Sequence, residues 1–155
     1  MLTYRLVQMI EDHAETLTEG LINDLRSNPR TPHYHHLSHD ELHVRAYTVY
    51  RNLGHWITEQ SEASIASTYG NFAKRRFFEG IPLDEVVFAL MATKNHLYTY
   101  VRTTGLVDSA MELHQERELR RLIGHFYDEA IFFTVKAYEH EALLNRATEK
   151  AKAAA

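Results

Sequence analysis

From Asp108 to its C-terminus the chain carries no proline, and it places Leu119, Leu122, Ile123, Phe126, Ala130, Phe133 and Ala137 at the three- and four-residue spacing of one helix face. From Phe126 onward a second set, Tyr127, Ile131, Val135 and Tyr138, widens the apolar arc beyond what one neighbouring helix covers. A terminal helix of that kind needs two partners. One lies in the same chain, and the other is expected in a second copy, because a two-fold dimer is the commonest way to cover such a stripe. The expected dimer face is Leu122, Phe126, Ala130, Phe133 and Ala137.

The rest of the chain is written in the same period. Its 6 glycines and 3 prolines punctuate rather than scatter, and strand alternation is nowhere sustained. A first helix is expected from about Thr3 to Ser27, with Leu6, Ile10, Leu17 and Leu21 in one row, His13 among them, and a stop at "SNPRTP". The stretch "SHDE" is a capping box that starts a second helix at Ser38, with Leu42, Ala46, Val49, Leu53 and Trp56 facing inward. A third runs from about Glu62 to Glu79 with Ile65, Tyr69, Phe72, Ala73 and Phe77, and stops at Gly80 in a left-handed cap. The fourth opens on "GIPLDEV", where Pro82 suits the first turn and Asp84 and Glu85 suit the helix dipole. Its row is Leu83, Val87, Leu90, Leu97 and Val101, with Lys94 in the middle; Gly105 closes it and Asp108 caps the last helix. The sequence thus predicts an all-α domain of about five helices over residues 1–140, with 141–155 as a helical tail or connector to an output module.

At 155 residues the chain can bury one core. A balance of 17 Lys and Arg against 21 Asp and Glu, with no basic run, argues against nucleic acid as a partner. The lack of cysteine excludes disulfides, thiolate metal sites and a cysteine nucleophile. With no apolar run of signal-peptide or membrane-spanning length, a cytoplasmic protein without a membrane partner is expected.

Several residue groups carry possible chemistry. "HYHHLSHDELH" holds five histidines in eleven positions. His39 and His43 lie four apart on a helix, His35 or His36 can approach from the loop, and Asp40 and Glu41 can add oxygen ligands. The plainer reading is a solvated helix start, and no metal site is assigned. For haem, His96 and His13 are the candidate ligands. His96 falls beside Ala89, Ala92 and Thr99, on a face that suits close helix packing, and His13, on an apolar stripe, suits a hydrogen-bonded core residue. Lys94 must snorkel outward or pair with an acid inside a signal-binding crevice, and a Schiff-base role needs further acid and base groups. Arg75 and Arg76 suit either an anion or, as paired arginines usually do, the surface. Trp56, Tyr69, Phe72, Phe77, Phe78 and Tyr98 are core or line a ligand pocket, expected between the second, third and fourth helices; with Lys94 they define the candidate pocket Trp56, Tyr69, Phe72, Lys94 and Tyr98.

The stretches "NPRTPHYHHLSHDEL", "VYRNLGHWI", "FFEGIPLDEVVFAL", "KNHLYTYV" and "DSAMELHQERELRRLIGHFYDEAIFFTVKAYE" follow one another in an order that resembles the N-terminal domain of RsbRD-type RsbT co-antagonists. That domain also stands in front of some bacterial sensor histidine kinases. The resemblance implies a globin-like fold without haem, a homodimer formed through the last two helices, and an output module of STAS or kinase type. It implies a sensory or regulatory role in bacterial stress or two-component signalling, without catalysis and without a cofactor. The competing expectation is a haem- or histidine-ligated divalent-metal sensor, and a third is a metalloenzyme built on His35 to His43.

Overall fold

In the computed structural model residues 2–58, 61–104 and 110–155 are described, and among them every regular element is helical. The order is α1 (Leu2–Asp12), α2 (Ala14–Ser27), a 3-10 turn (Pro32–His36), α3 (His39–Arg51), α4 (Leu53–Thr58), α5 (Glu62–Phe78), α6 (Leu83–Thr103) and α7 (Ala110–Ala154). The expected caps at Gly105 and Asp108 lie outside the described residues.

Seven α-helices stand where about five were expected among these residues, because two long segments are each broken at one residue. At His13 the backbone turns to φ −108°, ψ 20°, and its N–H is shared between the carbonyls of Met9 (3.2 Å) and Ile10 (3.1 Å). The His13 Nδ1 also lies 2.8 Å from the Met9 carbonyl. Asn52 repeats the device at φ −114°, ψ 28°, its Nδ2 donating to the Thr48 carbonyl at 2.9 Å while its N–H reaches the same atom at 3.3 Å. A side chain that enters the backbone ladder bends a helix without ending it. Local apolar period continues through both bends, so it does not reveal them.

Other boundaries follow their local chemistry. Ser38 accepts the Glu41 N–H at 3.2 Å and caps α3. Gly80, at φ 77°, lets the Gly80 N–H reach the Phe77 carbonyl (3.0 Å) and the Ile81 N–H reach the Arg76 carbonyl (3.1 Å), the double bond of a Schellman cap. That cap brings Ile81 into the core, where its carbonyl accepts the Tyr138 hydroxyl at 2.6 Å. Glu85 lies in the first turn of α6, as expected, and is also buried and tied to the 3-10 turn, accepting the His33 N–H at 2.8 Å and pairing with the His33 ring.

The long α7 is the spine. It packs chiefly on α5, then on α6 and α1, and buries Leu119, Ile123, Phe126, Tyr127, Ala130, Thr134, Tyr138 and Glu141. The dimer face expected from sequence therefore needs correction. Phe126 and Ala130 are spent inside their own chain, Phe126 among Trp56, Tyr69 and Tyr127, whereas Leu122, Phe133 and Ala137 are half-buried. Residues 143–155 are exposed, while α7 continues unbroken across the expected boundary at 141. At 1.5 Å per residue its 45 residues extend about 68 Å. No helix among the described residues is long and apolar enough to cross a membrane.

Candidate ligand-binding site

Between the helices lies a cavity of about 300 Å³. Leu21, Ile22 and Leu25 of α2, Leu90 of α6 and Tyr127 of α7 form its deep walls, with Trp56 and Tyr69 toward one side. Its exposed lining residues are Val44 and Thr48 on α3 and Thr68 and Arg75 on α5, so it opens between those two helices, which make little direct contact. The buried Tyr50 holds α3 against α6 beside it, donating its hydroxyl to the Thr93 carbonyl at 3.0 Å.

One part of this apolar wall is charged. Arg76 is fully buried at 0% exposure, its guanidinium 4.7 Å from the centroid of the Phe72 ring. Its Nη1 donates to both Glu79 oxygens (3.0 and 3.2 Å), and Arg45 Nη2 donates to the same Glu79 Oε1 at 2.8 Å. Two guanidiniums thus sit side by side on one carboxylate. Arg76 Nε and Nη2, Arg45 Nη1 and the Tyr127 hydroxyl are buried without a hydrogen-bond partner among the described residues. A buried donor left unpaired costs about 1–3 kcal/mol, more when charged. Burial, followed by the Arg45 charge, pushes the Arg76 pKa below its usual value. Burial also raises Tyr34 to about 12 and moves Tyr69 and Tyr127 upward, so these phenols stay protonated at neutral pH.

Of the five pocket residues named from sequence, Trp56, Tyr69 and Phe72 line the cavity and Lys94 and Tyr98 do not. Lys94 lies over the Tyr98 ring (5.7 Å), with Arg120 on the same ring (4.8 Å). The Tyr98 hydroxyl donates to the Arg120 carbonyl at 3.1 Å, against the α7 backbone at Gly124, where a side chain would leave only 2.8 Å to that hydroxyl. Phe77 packs on Tyr138, and Phe78 is exposed. For Arg75 and Arg76 the sequence left an anion site or, as the commoner case, the surface; Arg75 is at the surface, and Arg76 is in the core beside Glu79.

The histidines lie elsewhere, and none of the described residues lining the cavity is a histidine. A histidine-ligated haem in the cavity would therefore lack its axial imidazole. His13 is exposed, and His96 pairs with Asp24 at 3.2 Å on a separate surface hollow beside Gly20. His35 turns to the Asn28 carbonyl at 2.7 Å, and His36 is exposed. His39 and His43 share a face of α3, and their nearest oxygen partners come from α2: His39 Nε2 lies 2.8 Å from Glu19, and His43 Nε2 lies 2.8 Å from Glu15, while Asp40 adds a longer contact of 3.6 Å to His39 Nδ1. Ligand atoms of Glu15, Glu19 and His43 fall within 4.8 Å of one another, which is also the arrangement of two ordinary histidine–carboxylate pairs. The i, i+4 spacing of Glu15 and Glu19 was the available signal for this seam.

Comparison with known proteins finds no matching family model, no matching curated protein and no matching solved structure.

Proposed function

We propose that this chain is a non-catalytic sensory domain that binds a small molecule in the α3–α5 cavity and passes the event on through α7. The observation that carries the reading is the cavity itself, a largely apolar recess of about 300 Å³ lined in part by Arg45 and Arg76, whose guanidiniums keep buried N–H groups without partners. Recesses of this kind, apolar with a few convergent polar groups, are what small-molecule sites are made of. Its wall includes Tyr127 at the middle of the spine helix, so an occupant touches the element that reaches furthest from the bundle. Arginines and protonated phenols bind and orient well but do not shuttle protons at neutral pH, which supports binding over catalysis. The resemblance to the sensory domain of RsbT co-antagonists points the same way, toward bacterial stress or two-component signalling and an output module of STAS or kinase type.

The domain acts as a homodimer in this reading. Met111, Leu122, Phe133 and Leu144 stand eleven residues apart, a spacing that keeps them nearly in line along α7, and each remains exposed or half-buried. The signal is then a shift between two packings of paired α7 helices, biased by a ligand that prefers one of them.

Thermal-shift measurements with a panel of neutral and anionic small amphiphiles test the binding part. At least one compound raises the melting temperature, and Ala46→Phe, which fills the cavity, abolishes the effect. No response across the panel, or a response that survives Ala46→Phe, removes the sensory reading. Sedimentation equilibrium tests the dimer: the wild type sediments as a dimer and Leu122→Glu/Leu144→Glu as a folded monomer, whereas a monomeric wild type excludes that part.

A further inference from the structure

We propose that the cavity's ligand is an amphipathic monocarboxylate, its acid group held by Arg76 and Arg45 and its hydrocarbon or single-ring body lodged among Leu21, Ile22, Trp56 and Phe72. This rests on the ligand-binding reading above and names the class of ligand.

The donors set the headgroup. Glu79 occupies Nη1 of Arg76 and leaves Nε and Nη2 unpaired. Those two N–H bonds lie parallel on one edge of the planar guanidinium, the fork that matches two carboxylate oxygens. Arg45, bound to the same Glu79 oxygen, adds an unpaired Nη1 beside it. Charge sets the valence. Two guanidiniums share one carboxylate, so the pair carries one uncompensated positive charge, and a monoanion cancels it. A phosphate monoester brings about −1.5 to −2 at neutral pH and overshoots the buried pair, so it would have to draw on the exposed Arg75 at the cavity mouth as well. A neutral or cationic ligand leaves the buried donors unpaired.

The wall sets the body. Away from the arginines the lining is mainly aliphatic and aromatic, so the remainder of the ligand is hydrocarbon. About 300 Å³ is at the lower end of small-molecule sites, room for one medium chain or one ring with its substituents, and too little for a dinucleotide or a two-chain lipid.

The test is isothermal titration calorimetry of the full chain with decanoate, decanol and decyl phosphate. Emission from Trp56, the chain's single tryptophan and a lining residue, serves as the second readout. Decanoate is expected to bind at one per chain, to shift Trp56 emission, and to exceed both decanol and decyl phosphate by about tenfold, the worth of one charge-assisted hydrogen bond. Arg76→Met lowers decanoate affinity by about tenfold or more and leaves decanol unchanged. Arg45→Met, at a partly exposed position, repeats the selective loss if Arg76→Met does not fold. Decanol binding as tightly as decanoate, tighter decyl phosphate, or unchanged decanoate affinity in a folded variant overturns the carboxylate assignment while the cavity remains a ligand site. Failure of all three probes to bind, with the amphiphile panel also silent, overturns the ligand-binding reading itself.

Discussion

Two places in this protein set charged side chains between helices, and they are built on opposite plans. Along the α2–α3 seam each histidine has its own carboxylate, His39 with Glu19 and His43 with Glu15, and all four side chains keep contact with solvent. At the cavity two guanidiniums share Glu79, and the more central of them is buried with two nitrogens unpaired. Matched, wetted pairs add little to stability and ask for no further partner. A buried surplus of donors does ask for one, and that imbalance is what the proposed ligand would answer.

The comparison breaks first at Glu79. Glu79→Gln leaves two adjacent guanidiniums without their anion, and a loss of roughly 2–3 kcal/mol is expected in urea denaturation, reduced from the fully buried case because Glu79 is partly exposed. A loss below about 1 kcal/mol means the arginines are solvated and the charge argument fails.

Arg76→Met should change stability by no more than about 1 kcal/mol in either direction, because an apolar chain of similar length replaces a charge that is only half satisfied. A loss of several kcal/mol marks Arg76 as a structural pillar rather than a ligand-facing group. Tyr127→Phe removes a buried hydroxyl that has no partner among the described residues, so stability should hold or rise by a few tenths of a kcal/mol, read from the same denaturation curves. A clear loss would reveal a bond at that hydroxyl.

The seam should show the smallest effect and only as a pH dependence. The hydrogen bond to Glu19 raises the His39 pKa, so the pair's contribution is complete below the ordinary imidazole value and disappears as pH rises through the raised one. Wild type should therefore lose urea midpoint relative to His39→Ala across that interval, and parallel curves for the two proteins would remove His39 from the account.

Much of the helical plan was legible because its signals are local. Ser38 and Gly80 mark their boundaries through hydrogen bonds within a few residues, and Pro82 opens α6 through its own fixed φ, which is equally local. The kinks at His13 and Asn52 were not legible, since each depends on a side chain turning back onto a carbonyl of its own helix. At the cavity, Trp56, Tyr69 and Phe72 could be named from their inward period. Lys94 shares a row with inward residues but lies over the ring of Tyr98, which faces α7, because helical period gives a direction around one axis and not which neighbour lies there.

By itself, then, the sequence determined a cysteine-free helical chain with most of its caps and a long apolar spine, because helix period and end chemistry are short-range. Only the tertiary structure decided that Phe126 and Ala130 belong to the chain's own core, that Glu15 and Glu19 answer His43 and His39, and that Arg76 is buried beside Arg45 while Arg75 stays outside. Whether a charged side chain meets water or a cavity is fixed by what packs across from it, and those neighbours come from distant parts of the chain.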